Sequence, residues 1–421
     1  MDDKRGEPLR IVIACPNFHI GGFSTHTLTL ADELKRVGHH VIALVLDPFG
    51  ELYGTFQEVF DEVVVVRRGL ERRDTFLRRI LGVLVALRPN AVLGSGVPAV
   101  QAIHPYLDRS IVRITTIHNI PETEVREGCA NGISTDYIVA VARNIVDRIR
   151  IRSVCPVELI PVAVPIGPAR DGQLSSNPLR LAYVGRLAKS VKNLGVLIDI
   201  SEELWALGID FSLTFIGVGD AQSELMSQIE SRPFRSRINF IGLLTPTQVR
   251  QKLLDIDVLL LSSTFEGTPH AVLEAMQAGV VPILSRIPGA TEDIIDHGVS
   301  GFLCDTNDSS QYVAALTKLN ADRQLLRRMS LAARTAAISR YSASSMAQRY
   351  LELIERALAS NSLCTKKLEV ATHVKCCPEL RHSCYGFARQ VRRRAGDLYR
   401  ALAHGIRPCC LPTSTGESKS L

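Results

Sequence analysis

The stretch from Ser262 to Glu292 reads SSTFEGTPHAVLEAMQAGVVPILSRIPGATE. Its pattern is strand end, loop, helix, strand and loop. The run from Asp257 to Leu261 ahead of it is apolar and short, as a buried strand requires. Thr268 is of the type that caps a helix N-terminus, and Pro269 suits a first helical position. Gly279 is placed to close the helix in a left-handed conformation. One carboxylate, Glu266, falls in the loop and another, Glu274, inside the helix. Open α/β sheets bind ligands at a loop that leaves a strand's carboxyl end and feeds a helix. The spacing therefore predicts a doubly wound sheet with a ligand site at this loop.

Working outward, the same alternation fills the chain. Arg10–Ala14 predicts a buried strand, then a loop with Gly21-Gly22, a helix over Ser24–Val37 and a strand over His40–Leu46. Strands are predicted at 62–66, 90–93, 110–115, 136–141 and 158–162, and a basic amphipathic helix over Arg67–Leu87. The segment 166–179 is rich in Pro, Gly and Ser and predicts a linker. Beyond it the pattern restarts with a strand over Arg180–Val184, a helix over Asn193–Leu207, and strands at 211–216, 238–241, 257–261, 279–284 and 301–303. Helical patterns fill 309–340 and 342–359. The expected fold class is α/β, with two Rossmann-like domains facing across a cleft. Their expected bounds are 8–165 for an N-terminal, acceptor-binding domain and 180–340 for a nucleotide-sugar-binding one. A helix over 341–360 is expected to pack back toward the first domain, with a basic, Cys-rich tail over 361–421.

Composition narrows the class. The 421 residues are 46% hydrophobic and 22% charged, ordinary for a globular protein. The net charge of +6 is local, because residues 361–421 hold 11 basic and 4 acidic side chains. The remaining body is close to neutral, which argues against nucleic-acid binding. The start is polar and acidic, unlike a secretory signal, and no apolar run reaches the roughly 20 residues of a membrane span. A cytoplasmic protein is expected. Cys15, Cys129, Cys155 and Cys304 are scattered, as reduced core residues are. The other six cysteines are in the tail, where no C-x2-C spacing supports zinc.

Arg186 and Lys192 flank the loop after Val184. Two cations at a helix N-terminus suit a phosphate or diphosphate, although their spacing alone better fits ordinary surface cations on a solvated loop. The loop lacks the second glycine of a Walker A motif, and Gly217-Val-Gly219 lacks the third glycine of a dinucleotide fingerprint. His118 follows a strand end in the first half. No H-E-x-x-H or D-x-D motif is present, so no metal ligand is expected.

Taken together, residues 8–358 resemble a retaining glycosyltransferase of family 4 on the two-domain GT-B architecture (glycosyl transferases group 1). Glu266-Gly-Thr-Pro-His-Ala-Val-Leu-Glu274 resembles the family's E-x7-E motif. Val184-Gly-Arg186 with Lys192-Asn193 resembles its phosphate-binding pair, and Gly21-Gly22 its glycine-rich first loop. Phe215–Gly219 and Gly289-Ala-Thr-Glu292 follow in the family's order. The sequence departs from the family at Val162-Ala163, where Asn-Gly is usual after Ile-Pro, at Ala142, where serine is common, and at Thr268, where an aromatic is usual.

The resemblance implies a hexosyltransferase that moves a sugar from a nucleotide-sugar donor to a glycan or lipid-linked acceptor, with retention and without a metal. Cell-surface polysaccharide or glycolipid synthesis is the implied setting. Arg186 and Lys192 would neutralise the donor diphosphate, and Glu274 would accept from ribose hydroxyls. Glu266, with the amides of Gly267 and Thr268, would hold the donor sugar. Gly22 would admit first-domain backbone to the phosphates, Gly217 would line the donor site, and His118 would lie near donor sugar and acceptor. No cofactor beyond the donor substrate is implied. The basic helix over 67–87 and the tail fit a solvated charged face and a loose terminus somewhat better than contact with an anionic membrane, which would put the protein at the inner face of the cell membrane. The alternatives are a nucleotide-sugar epimerase of the same architecture and a non-catalytic sugar-nucleotide-binding module.

Overall fold

The computed structural model describes residues 7–119, 125, 129, 134–151, 153–170 and 178–371, with side chains to residue 360. Its first half runs β1 (Arg10–Cys15), α1 (Gly22–Arg36), β2 (His40–Val45), α2 (Tyr53–Val59), β3 (Glu62–Val65), α3 (Arg73–Leu87), β4 (Ala91–Ser95), α4 (Pro98–Gln101), β5 (Val112–Ile117), β6 (Tyr137–Ala140), α5 (Arg143–Arg150) and β7 (Val157–Leu159). The second half runs β8 (Leu179–Val184), α6 (Gly195–Ala206), β9 (Phe211–Ile216), α7 (Gln222–Ile229), β10 (Ile238–Phe240), α8 (Pro246–Leu253), β11 (Val258–Leu261), α9 (His270–Ala278), β12 (Val281–Ser285), α10 (Thr291–Ile294), β13 (Phe302–Cys304), α11 (Ser309–Ala321), α12 (Arg323–Arg340) and α13 (Ala343–Ala371).

Both sheets are parallel and doubly wound. The first has seven strands in the order β3-β2-β1-β4-β5-β6-β7, the second six in the order β10-β9-β8-β11-β12-β13. Strands such as β1 and β2 are apolar without alternation because helices cover both faces. Strand order reverses between β1 and β4 and again between β8 and β11. A crevice opens at each reversal, outside the carboxyl ends of the strands.

Two connections cross between the halves side by side. Val164 forms a parallel bridge with Ser342, so the chain entering the second half meets the chain leaving it. α13 then lies on the first domain, burying Met346, Tyr350, Leu353, Ile354 and Ala357 in the same core as Ile11, Leu30 and Phe56. Tyr350 reaches the end of β5, its hydroxyl 2.9 Å from Thr116 Oγ1.

Several boundaries differ from the sequence pattern. α3 begins at Arg73, so Arg67, Arg68 and Arg72 lie on the segment before it, with Arg67 stacked 5.5 Å from the Phe49 ring centre. The described start of the 166–179 segment is fastened, not loose. Arg170 donates to the Ile256 carbonyl (2.5 Å) and pairs with the fully buried Asp257 (2.6 Å), which Arg180 also holds. Leu179, counted with that segment, opens β8. α13 continues to Ala371, into the stretch read as tail. Cys376, Cys377, Cys384, Cys409 and Cys410, and with them the basic, Cys-rich part of the tail beyond Ala371, lie outside the described residues. Among the described residues no helix is long and apolar enough to cross a membrane.

Candidate functional site

The reversal between β8 and β11 brings two loops together, Gly185–Leu194 after β8 and Ser262–Pro269 after β11. Lys192 Nζ lies 2.6 Å from Glu266 Oε1, joining the cation of one loop to the carboxylate of the other. Neighbouring backbone bonds hold the pair in place: Thr264 N–H donates to the Val191 carbonyl (2.9 Å), and Ser262 Oγ donates to that of Lys192 (3.1 Å). Arg186 is exposed, and the Tyr183 hydroxyl donates to its carbonyl at 3.0 Å. Among the described residues Arg186 forms no ion pair. Gly217 sits against this loop, but its N–H donates to the Gly242 carbonyl and is not available to a ligand. A Cβ there would collide with the Gly185 carbonyl, so this glycine lets the two loops pack.

Glu274, one turn into α9, is buried. Burial pushes its carboxyl up to about 7, opposed by Arg250 of α8, whose Nη1 is 3.9 Å away. Nothing in the sequence pattern pointed to Arg250, because it comes from a separate helix.

Thr268 does not cap α9. Its hydroxyl donates across the cleft to the Val141 carbonyl of the first domain, and Pro269 takes the cap position with no side-chain bond. The physical reason is that the loop is drawn against the neighbouring domain, where an orphan carbonyl at the end of β6 competes for the hydroxyl. Gly279 closes α9 in the left-handed conformation, φ 83°.

Thr268 is one of a row of contacts between the halves. Asn144, at the start of α5, donates through Nδ2 to the Glu266 carbonyl (3.0 Å) and through its amide to the Gly289 carbonyl (3.1 Å). A Cβ on Gly267 would stand 2.5 Å from the His118 carbonyl, and one on Gly289 would stand 2.8 Å from the Asn144 nitrogen. Arg143 pairs with Asp293 at 3.2 Å. Asn144 is a site residue that the sequence pattern missed, since a lone polar residue opening a helix resembles any other.

His118 is buried at the end of β5. Its Nε2 is hydrogen-bonded to Ser95 Oγ (2.8 Å), and its ring packs on Phe23 (4.7 Å between centres) and His26 (4.8 Å). Burial, with His26 and His270 nearby, holds its pKa well below the ordinary value. Its ring is therefore neutral, and its backbone carbonyl lies against Gly267 in the loop that carries Glu266. Gly22 begins α1 and meets His270, the first residue of α9: a Cβ on Gly22 would be 3.3 Å from the imidazole Cδ2. Among the described residues no cluster of three or more His, Cys, Asp or Glu side chains is arranged to hold a metal ion.

Residues 169–336 match the family model described as glycosyl transferases group 1. Over those residues the chain is similar to that group. The match spans most of the second domain and includes Arg186, Lys192, Glu266 and Glu274. The amylovoran biosynthesis glycosyltransferase AmsK of Erwinia amylovora is 29% identical over 185 residues, 42% of this chain and 45% of that protein. The lipopolysaccharide 1,6-galactosyltransferase of Salmonella typhimurium is 29% identical over 199 residues, 44% of this chain and 52% of that protein. The chain thus spans about half the length of these curated relatives. Alr3699/HepE of Anabaena, solved with UDP and glucose, superposes with a TM-score of 0.71 at 15% identity, covering 83% of this chain and all of that one. That likeness is one of fold: two parallel-sheet α/β domains in the GT-B arrangement.

Proposed function

We propose that the protein is a retaining glycosyltransferase that takes a hexose from a nucleotide sugar and passes it to a glycan or lipid-linked acceptor in cell-surface polysaccharide or glycolipid synthesis. The observation that carries this reading is the Lys192–Glu266 pair at the β8/β11 reversal, closed over by His118 and Asn144 of the other domain. An ammonium has three hydrogens, and one satisfies Glu266. The others are available to the donor diphosphate, with Arg186 as the second cation. Glu266 then holds sugar hydroxyls beside the phosphate that leaves. Glu274 accepts from the ribose. These roles follow the family resemblance, and UDP in the Anabaena neighbour makes uridine donors the first to try.

In this reading the residues position charge and supply no covalent intermediate. The acceptor attacks from the side on which the nucleotide departs, and the departing phosphate takes its proton. A neutral, buried His118 is suited to hydrogen-bonding a hydroxyl and poorly suited to carrying charge. No divalent ion takes part. The exposed Arg67, Arg68, Arg72 and Arg73 are suited to hold the acceptor-side domain against an anionic membrane surface.

A panel of nucleotide sugars, scored for binding and for slow hydrolysis by the full chain, tests the reading. One tight donor with slow release of free sugar is the expected result. Conversion of the donor to its epimer without acceptor would replace the transferase with an epimerase, and binding without any turnover would replace it with a carrier module.

A further inference from the structure

Both α1 and α9 start at the cleft, and their first residues touch. Gly22 opens α1 and His270 opens α9, with the Cδ2–Nε2 edge of the imidazole against Gly22. Neither helix start has a side-chain cap, and neither has an acidic residue in its first turn. First-turn N–H groups lack intrahelical partners and carry the positive end of the helix dipole. Two such ends meet here from opposite domains, which favours a multiply charged anion between them.

The side chains at this junction point the same way. Three ring nitrogens are shut off from solvent with no hydrogen-bond partner: Nδ1 of His26, and both Nδ1 and Nε2 of His270. A buried polar group without a partner is costly, and an apolar side chain of similar size avoids that cost. Burial holds His270 near a pKa of about 4 and His26 near about 3, so both rings are neutral and each keeps one N–H and one lone pair. The titratable neighbours that bear on this junction are His26 of α1 and His118 of β5, with Glu274 one turn further along α9. None supplies His270 with a partner.

We infer that His270 is a donor-phosphate contact: its ring N–H, held between the α1 and α9 ends, binds an oxygen of the nucleoside diphosphate, adding a third group to Arg186 and Lys192. The inference rests on the nucleotide-sugar reading above and deepens it. The E-x7-E spacing fixes Glu266 and Glu274 but says nothing of the residue between them, and in this chain that residue is an imidazole facing the glycine loop of the opposite domain. His270 is here a binding residue; it neither attacks nor transfers a proton.

The test uses the full chain and three substitutions, His270→Leu, His270→Gln and Glu274→Gln. Binding of UDP, GDP, ADP and TDP, of the corresponding nucleosides and of inorganic pyrophosphate is measured by calorimetry, with thermal unfolding as the check on folding. His270→Leu is expected to unfold at or above the wild-type temperature, since it removes two unpartnered polar atoms. It is also expected to bind the preferred diphosphate about 10- to 100-fold more weakly, as for loss of a hydrogen bond to a charged group, with nucleoside affinity unchanged. His270→Gln, which keeps a neutral donor, recovers part of the loss. Glu274→Gln shows the opposite pattern, losing nucleoside affinity. Pyrophosphate binding that falls with the nucleotide in His270→Leu assigns the contact to the phosphates alone. Wild-type diphosphate affinity in His270→Leu, or an equal loss for nucleoside and diphosphate, overturns the inference. If wild-type protein binds no nucleoside diphosphate, the donor reading itself falls, and that outcome is separate from the first two.

Discussion

The Lys192 ammonium stands 2.6 Å from the Glu266 carboxylate, so two groups assigned by resemblance to different parts of a donor are partners of each other. Their side chains are 18% and 11% exposed, which makes the pair neither a screened surface bridge nor a fully buried one. Removing one member strands the other. Lys192→Ala should lower stability by about 1–3 kcal/mol and transfer by about 100-fold or more. Adding Glu266→Gln should restore most of the stability and none of the transfer. Urea titration of the two single variants and the double variant gives the coupling directly. Additive stability losses would mean that the pair is not formed in solution.

Glu274 gives the pH dependence. Its carboxyl is raised from the ordinary 4.5 to about 7 by burial, with Arg250 only partly offsetting this. The native state therefore binds a proton between these values that the unfolded state has released. Stability from this group is full below about pH 4.5 and is lost as pH rises through about 7, by an amount on the order of 2–3 kcal/mol. Glu274→Gln should abolish that decline and be more stable than wild type at pH 8. Ribose hydroxyls need the ionised acceptor, so nucleotide affinity should rise over the same interval. Calorimetry of a nucleotide and its 2′,3′-dideoxy analogue between pH 6 and 8 checks this. A rise of equal size for both would rule out the ribose contact.

Gly267 and Gly289 lie where the two domains meet. Gly289 has φ 69°, and a Cβ there meets the Asn144 nitrogen at 2.8 Å; at Gly267 it meets the His118 carbonyl at 2.5 Å. Both obstacles are backbone, which cannot swing aside. Gly267→Ala and Gly289→Ala should therefore hold the domains apart. We expect kcat to fall about 10-fold or more while nucleotide affinity changes little. Small-angle scattering should show a larger radius of gyration. Compact variants with normal kcat would show that this docking is dispensable.

The strand and helix pattern was readable because a parallel sheet covered on both faces leaves apolar runs in the sequence, and the E-x7-E stretch could be placed at the end of β11. Arg186, Lys192, Glu266 and Glu274 stood out only through the family resemblance, since their spacing alone fits ordinary surface side chains; the fold then sets Lys192 beside Glu266. What escaped was every contact that crosses the cleft. Thr268 looked like a cap because local chemistry allows it, and only the Val141 carbonyl of the other domain redirects its hydroxyl. Asn144, Arg250 and His270 carry no local signature, since their roles depend on which distant backbone or carboxylate the fold sets beside them. The basic amphipathic helix expected over Arg67–Leu87 starts only at Arg73, because Gly69 and the fully exposed Leu70 interrupt the apolar stripe a helix would need.

Arg170 tests the connection between the domains. It is 6% exposed and pairs with Asp257, which is fully buried at the start of β11. Arg170→Ala leaves that carboxylate to the more exposed Arg180. A loss of about 2–4 kcal/mol follows, and Asp257→Asn in the same chain should recover part of it. A thermal or urea midpoint equal to wild type in Arg170→Ala would show that Arg180 alone satisfies Asp257.

The segment before α3 tests the membrane contact. Leu70 is fully exposed and Phe49 is 57% exposed, with Arg67 stacked on Phe49 and Arg68, Arg72 and Arg73 close in sequence. Apolar tips ringed by arginines suit an anionic interface, where each cation contributes about 1 kcal/mol at low salt. Charge reversal at Arg67 and Arg72, which form no ion pair among the described residues, should weaken co-sedimentation with phosphatidylglycerol vesicles by about 10-fold or more. Leu70→Asp should weaken it further without changing the unfolding temperature. Neutral phosphatidylcholine vesicles should retain neither wild type nor variants. If the variants sediment with anionic vesicles as wild type does, the acceptor-side domain does not make the contact, and attention moves to the basic residues beyond Ala371.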